Sequence, residues 1–143
     1  MQKWLTSTAA GALFIIDRLL KSIALSLPPP RSSGEGLFVR SLNRGIAFSL
    51  PVPPWLLAAL LAAGCVTVAA LFFKEVKKGT AHAPLYMLII AGAVSNIIDR
   101  IRVGAVIDYF SISLIGLNFN LADCMDVAGV GIIVAKNLKS RMQ

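Results

Sequence analysis

The chain has 143 residues, one domain's worth, and 57% of them are hydrophobic against only 15% charged. Soluble domains carry about a quarter charged residues, so with a mean hydropathy of +0.76 the composition excludes an ordinary soluble protein and points to the membrane. The net charge of +7 is not a nucleic-acid signature, because the basic residues cluster at the ends of apolar runs and no Lys/Arg-rich stretch is interleaved with aromatics.

The first apolar segment spans 4–27. Lys3 followed by Trp4 to Ile16 mimics a signal peptide, but Asp17, Arg18 and Lys21 interrupt the run, which is therefore read as a retained membrane helix. Asp17 and Lys21 are four residues apart and share a helix face, either as an ion pair in a polar notch or as a substrate contact. Pro28-Pro29-Pro30 ends the helix, because proline lacks the backbone donor and restricts the residue before it. An outer loop covers 28–52. Its apolar stretches 37–42 and 46–50 flank Asn43-Arg44-Gly45, which predicts a β-hairpin.

The second segment, 53–73, carries no charge and gives about 30 Å of helix, enough to cross the hydrocarbon. The third and fourth are drawn at 80–100 and 120–138. Their purely apolar parts cover only about 22 Å. To span, they must carry Asn96, Asp99 and Arg100, and Asn120 and Asp123, to the membrane edge. A second outer loop covers 101–119, where Ser111 and Ser113 alternate with Ile112 and Leu114 as in a short strand.

Four spans put both termini on one side. Lys3, Lys74, Lys77, Lys78, Lys136, Lys139 and Arg141 then oppose Arg31, Arg40, Arg44, Arg100 and Arg102, and the compact Lys74–Lys78 cluster abuts a span. The positive-inside rule makes both termini cytoplasmic and turns the acidic groups outward. The expected fold is a single domain, 1–143: an all-α membrane protein of four transmembrane helices with a small β-sheet on the outer membrane surface.

Glu35 and Glu75 fall in polar loops and read as solvated. Asp17, Asp99, Asp108, Asp123 and Asp126 all fall in or beside apolar sequence on the outer side. A carboxylate near hydrocarbon is costly, so it is paired, protonated or functional. If Asp108 and Asp123 converge they share a proton, and such a pair activates water without a metal or a covalent intermediate. Each could instead cap an element, Asp123 at the start of the fourth helix in particular. Arg100 is expected to meet a carboxylate or a lipid phosphate, with Asn96 one turn earlier on the same face.

Other chemistries are weaker. Ser95 and Ser111 have no histidine partner, and Cys124 has only carboxylates near it. Cys65 and Cys124 read as small buried thiols without a disulfide, and His82, just before Pro84, as a solvated loop residue. No phosphate loop or His-Glu metal pattern occurs, so neither metal nor cofactor is expected.

Four motif blocks carry a family resemblance from residue 17 to residue 123. They are Asp17 with Lys21; Asn43-Arg-Gly45-Ile-Ala-Phe48; Gly92 through Asn96 to Asp99-Arg100; and Gly104-Ala-Val-Ile-Asp108 followed by Asn120-Leu-Ala-Asp123. In this order they resemble the lipoprotein signal peptidases (signal peptidase II), aspartic endopeptidases of the bacterial inner membrane. The resemblance implies cleavage of a diacylglyceryl-modified prolipoprotein just before its lipidated cysteine, with Asp108 and Asp123 as the dyad. Asn43, Gly45, Asn96, Asp99, Arg100 and Asn120, with Asp17 and Lys21, would order the site or hold substrate, and the sheet would cradle it. It implies a monomer in membrane lipid with its active site facing the exterior, and no nucleic-acid partner. The chain departs from the pattern at Tyr109, where phenylalanine is commoner, and at Asp126, where the position is usually apolar. Asp126 shares a helix face with Asp123, and could repel it or face Arg100 or Lys21. The rival reading is a small proton- or cation-handling subunit, disfavoured because the acids lie on one side and the second helix offers no polar path.

Overall fold

A computed structural model describes residues 2–29, 36–46, 50–80 and 83–142. Arg31, Glu35, His82 and the centre of the expected second hairpin arm, 47–49, lie outside the described residues. Four long helices alternate with a small sheet in the order α1 (Gln2–Ser26), β1 (Phe38–Asn43), α2 (Pro54–Lys77), α3 (Ala83–Val103), β2 (Val106–Ile112), β3 (Leu117–Phe119) and α4 (Leu121–Arg141).

α2 opens with Pro53 at the cap and Pro54 in the first turn, where the missing N–H costs nothing. Lys74 and Lys77 close it, favourably placed against the helix dipole. It buries no side chain within the protein and rests on α3 through Val68 and Phe72, against Leu85, Tyr86 and Ile89. Among the described residues, α2 and α3 are long and apolar enough to cross a membrane. α3 runs on past the expected boundary to Val103, so Arg100 and Arg102 lie in its last turn.

α3 and α4 approach closely through two glycines. A Cβ at Gly129 would strike Ile89, and one at Gly92 would strike the Asp126 carboxyl and the Ala122 carbonyl. Small residues let helix backbones meet where lipid gives no hydrophobic drive to association.

Gly104, at φ +75°, ends α3 with its N–H on the Arg100 carbonyl (3.1 Å) and turns the chain into β2. The sheet order is β1-β2-β3, all antiparallel. Among the described residues β1 pairs with β2, Ser41 opposite Asp108 and Asn43 opposite Val106; the second arm of the hairpin expected across Asn43–Gly45 lies largely outside the described residues. The second outer loop is itself a hairpin. Its strand begins earlier than expected, and Ser113–Ile115 form a 3₁₀ turn closed by Gly116 at φ +64°. Phe38, Tyr109, Phe110 and Phe119 stack along the sheet, and Ile107 and Tyr109 bury against Ala24 of α1. Cys65 and Cys124 are free but exposed on the protein, not buried as expected.

Candidate active site

Asp17, Lys21, Ser95 and Asp99 are all fully buried between α1 and α3. Lys21 Nζ lies 3.0 Å from Asp17 Oδ2 and 2.8 Å from Asp99 Oδ2, so the i, i+4 ion pair forms and gains a second carboxylate. Arg18 Nη1 pairs with Asp99 Oδ1 at 2.5 Å, and Ser95 Oγ donates to Asp17 Oδ2 at 2.5 Å. Two cations thus face two carboxylates, and the Ile107 N–H donates to Asp99 Oδ2 (3.3 Å), tying this cluster to β2. Buried ion pairs of this kind hold geometry more than they add net stability. Lys21 also donates to Asn96 Oδ1 (2.7 Å), which turns the Asn96 amide so that Nδ2 donates to Asp123 Oδ1 (2.9 Å).

The first turn of α4 is held from three directions. A helix start leaves its first N–H groups without internal partners. Here the Leu121 N–H donates to the Tyr109 hydroxyl (2.9 Å), the Ala122 N–H to Asp17 Oδ1 (3.2 Å) and the Asp123 N–H to Asn120 Oδ1 (3.0 Å). The Tyr109 hydroxyl in turn donates to Asp17 Oδ1 (2.8 Å). Burial pushes the Tyr109 phenol up from its ordinary value, so it stays a donor. Asp123 Oδ2 accepts the Asn120 N–H (3.1 Å), completing a reciprocal capping box. The capping reading of Asp123 therefore holds, one oxygen closing the box at α4 while the other faces Asn96.

Asp108, on β2, is 1% exposed. Asn120 Nδ2 donates to its Oδ1 (2.7 Å) while the Asn120 N–H donates to Asp123 Oδ2, so one asparagine touches both acids. Burial pushes the Asp108 carboxyl up to about 7, and the Asp123 charge adds to this; donation from Asn120 and Asn43 and the Lys21 charge oppose it. The folded chain thus keeps a proton that the unfolded chain, with an ordinary value of 3.8, has released. This group's contribution to stability is present below pH 3.8 and is lost as pH rises through about 7.

Of the two partners expected for Arg100, a carboxylate or a lipid phosphate, no carboxylate forms an ion pair with it among the described residues. Its Nη2 donates to the Gly45 carbonyl (2.8 Å), while its Nε and Nη1 are buried without partners among the described residues. Asn43 explains the turn that delivers this carbonyl: its Oδ1 accepts the Gly45 N–H (2.9 Å) and its Nδ2 donates to the Ile46 carbonyl (3.3 Å). The Asn-x-Gly signal marks this side-chain turn.

Asn43, Asn96, Arg100, Asp108 and Asp123 all line one cavity of about 1080 Å³. Its remaining wall is mostly apolar, from α2 (Leu61, Val68) and α3 (Ile89, Ile90). The other expected residues are bonded to these five: Gly45 to Arg100, Asn120 to Asp108, and Lys21, paired with Asp17 and Asp99, to Asn96. Arg18, Ser95 and Tyr109 were not expected there. Tyr109 had one visible signal, a hydroxyl where a phenylalanine is commoner.

The chain matches the family model of signal peptidase (SPase) II over residues 9–139. It is 33% identical to the lipoprotein signal peptidase of Thermodesulfovibrio yellowstonii, over 94% of this chain and 95% of that protein. It is 35% identical to the lipoprotein signal peptidase of Allorhizobium ampelinum, over 89% and 83%. Its fold resembles that of a bacterial membrane enzyme solved by the in meso method at 2.3 Å resolution, with a TM-score of 0.79 at 23% identity, covering 96% of this chain and 89% of that chain. With the acids, their asparagines and the buried ion cluster each on a motif position, the chain belongs to the signal peptidase II family.

Proposed function

We propose that the protein removes the signal peptide of diacylglyceryl-modified prolipoproteins, with Asp108 and Asp123 activating the water that cuts just before the lipidated cysteine. Its family is one of aspartic membrane proteases that process lipoproteins. The observation that carries the dyad is the shared asparagine: Asn120 bonds Asp108 and caps the turn that holds Asp123, in one largely apolar cavity.

In this mechanism one carboxyl of the pair is protonated and the other ionised. The ionised one takes a proton from water as its oxygen attacks the scissile carbonyl carbon. The protonated one gives its proton to the carbonyl oxygen. Collapse of the tetrahedral intermediate breaks the C–N bond and returns a proton to the cysteine amine. Asn43 and Asn120 orient Asp108, and Asn96, set by Lys21, orients Asp123. Arg100 holds the Gly45 turn at the cavity, and Asp17 and Asp99 fix the cluster behind it. The apolar walls suit acyl chains and an apolar signal segment.

The arrangement fits four membrane-crossing helices with cytoplasmic termini and the sheet at the outer surface of the inner membrane, acting as a monomer. The lysine cluster after α2 supports that orientation.

Purified protein in detergent tests this with a diacylglyceryl-cysteine peptide and its unlipidated twin. Cleavage before cysteine is expected only for the lipidated peptide, and equal cleavage of both overturns the substrate assignment. The pH profile is a further expectation. Above about pH 7 the shared proton leaves the pair, so kcat/KM falls about tenfold per pH unit, with an apparent pKa that belongs to both acids. A profile flat from pH 6 to about 9 would contradict it.

A further inference from the structure

A second cavity, of about 270 Å³, shares no wall residue with the one that holds the two acids. It is lined by Arg18, Ser22 and Leu25 of α1, Arg102 and Val103 of α3, and Ile107 of β2. Positions 18, 22 and 25 recur at helical spacing, so they share one face of α1. Two arginines and a serine hydroxyl thus meet beside apolar side chains, and no carboxylate lines the walls.

The charge balance singles out Arg102. Behind the wall, Arg18 and Lys21 face Asp17 and Asp99, two cations against two anions. Arg18 engages that cluster and Ser95 through Nη1 alone and stays partly exposed. Arg102 is exposed and has neither a hydrogen bond nor an ion pair among the described residues. The cavity therefore carries one uncompensated positive charge and a guanidinium fork with no partner, the complement of a singly charged phosphodiester.

Depth and surroundings identify what carries that phosphate. α3 has 21 residues, which give about 31 Å of helix and match the hydrocarbon thickness. Arg102, in its last turn, therefore lies at headgroup depth. Leu19 and Ile23 of α1 and Ile101 of α3, each next in sequence to a wall residue, are exposed on the protein and suit acyl chains. The diacylglyceryl group of the proposed substrate is uncharged, so it does not account for the arginines.

We propose that this cavity seats the phosphate of an anionic membrane phospholipid, with Arg102 and Arg18 as guanidinium donors and Ser22 as a hydroxyl donor. The site rests on the membrane setting of the family and not on the dyad, and its test reads binding rather than cleavage.

Full-length protein in a neutral detergent is titrated with phosphatidylglycerol or phosphatidylcholine, and native mass spectrometry reads the dissociation constant of the first bound lipid. Phosphatidylglycerol is expected to bind roughly tenfold tighter than phosphatidylcholine, whose choline cancels the phosphate charge. Arg102→Gln, which breaks no bond within the described protein, weakens phosphatidylglycerol about tenfold by removing a charge-assisted hydrogen bond. Arg44→Gln removes the same charge from an exposed position outside the cavity and leaves binding unchanged. Equal weakening in the two variants means diffuse attraction and overturns the proposal, as does equal affinity for the two lipids. Displacement of phosphatidylglycerol by inorganic phosphate at matched concentration assigns the cavity to a free anion and overturns it too.

Discussion

Asp108→Asn lowers kcat/KM for a lipidated precursor by about 10²–10⁴-fold and leaves the protein folded. The amide keeps the shape of the carboxyl and still offers an oxygen to Asn120 Nδ2, which lies 2.7 Å away. It cannot hold or exchange the proton. Asp123→Asn has a similar kinetic effect and an additional structural one. Asp123 Oδ2 accepts the Asn120 N–H while Oδ1 accepts Asn96 Nδ2, so both oxygens are in use. An amide presents its NH₂ to one of these donors and leaves it unsatisfied, at about 1–3 kcal/mol. The two variants should therefore match in lost activity and separate in thermal stability, with Asp123→Asn melting lower. Kinetics and melting in the same detergent measure both. Near-normal cleavage in either variant removes that residue from the pair.

Lys21→Met has the largest expected effect on stability. The ammonium is fully buried between two fully buried carboxylates, at 3.0 and 2.8 Å. Methionine has the length but no charge. Asp99 keeps Arg18, while Asp17 keeps only neutral donors: Ser95, Tyr109 and the Ala122 N–H. Removing one partner from a buried ion pair costs about 3–5 kcal/mol, since the surviving charge is left uncompensated. Activity falls with it, because Asn96 loses the donor that sets its amide against Asp123. Denaturant titration in micelles measures the loss, and a change under about 1 kcal/mol would mean that the cluster tolerates its neutralisation.

Local spacing made much of this site legible. The i, i+4 offset of Asp17 and Lys21 predicts their pairing, and it forms. The short apolar runs of the third and fourth segments predict that their polar ends share one side, and Asn96 meets Asp123 there. What escaped depends on distant partners. Arg18 reaches Asp99 across 81 positions and Tyr109 reaches Asp17 across 92, separations on which no periodicity reports. The partner of β1 escaped for a related reason. The Asn43-Arg44-Gly45 turn is real, but β1 takes its partner from β2, more than 60 positions away, where Asp108 needs a neighbour. Arg100 also reaches a carbonyl 55 positions away, that of Gly45, which no local spacing reports.

The three-way anchoring of the α4 start has a consequence for biogenesis. Its N–H groups find acceptors on the first helix, on the second strand and on Asn120 itself, and the first of these lies about a hundred positions away in the chain. On the proposed pairing of Asp108 with Asp123, a nascent chain that lacks α4 has Asp108 without its counterpart and has no acid pair with which to cut. On that reading proteolytic competence arrives in a single late step, when the final helix docks.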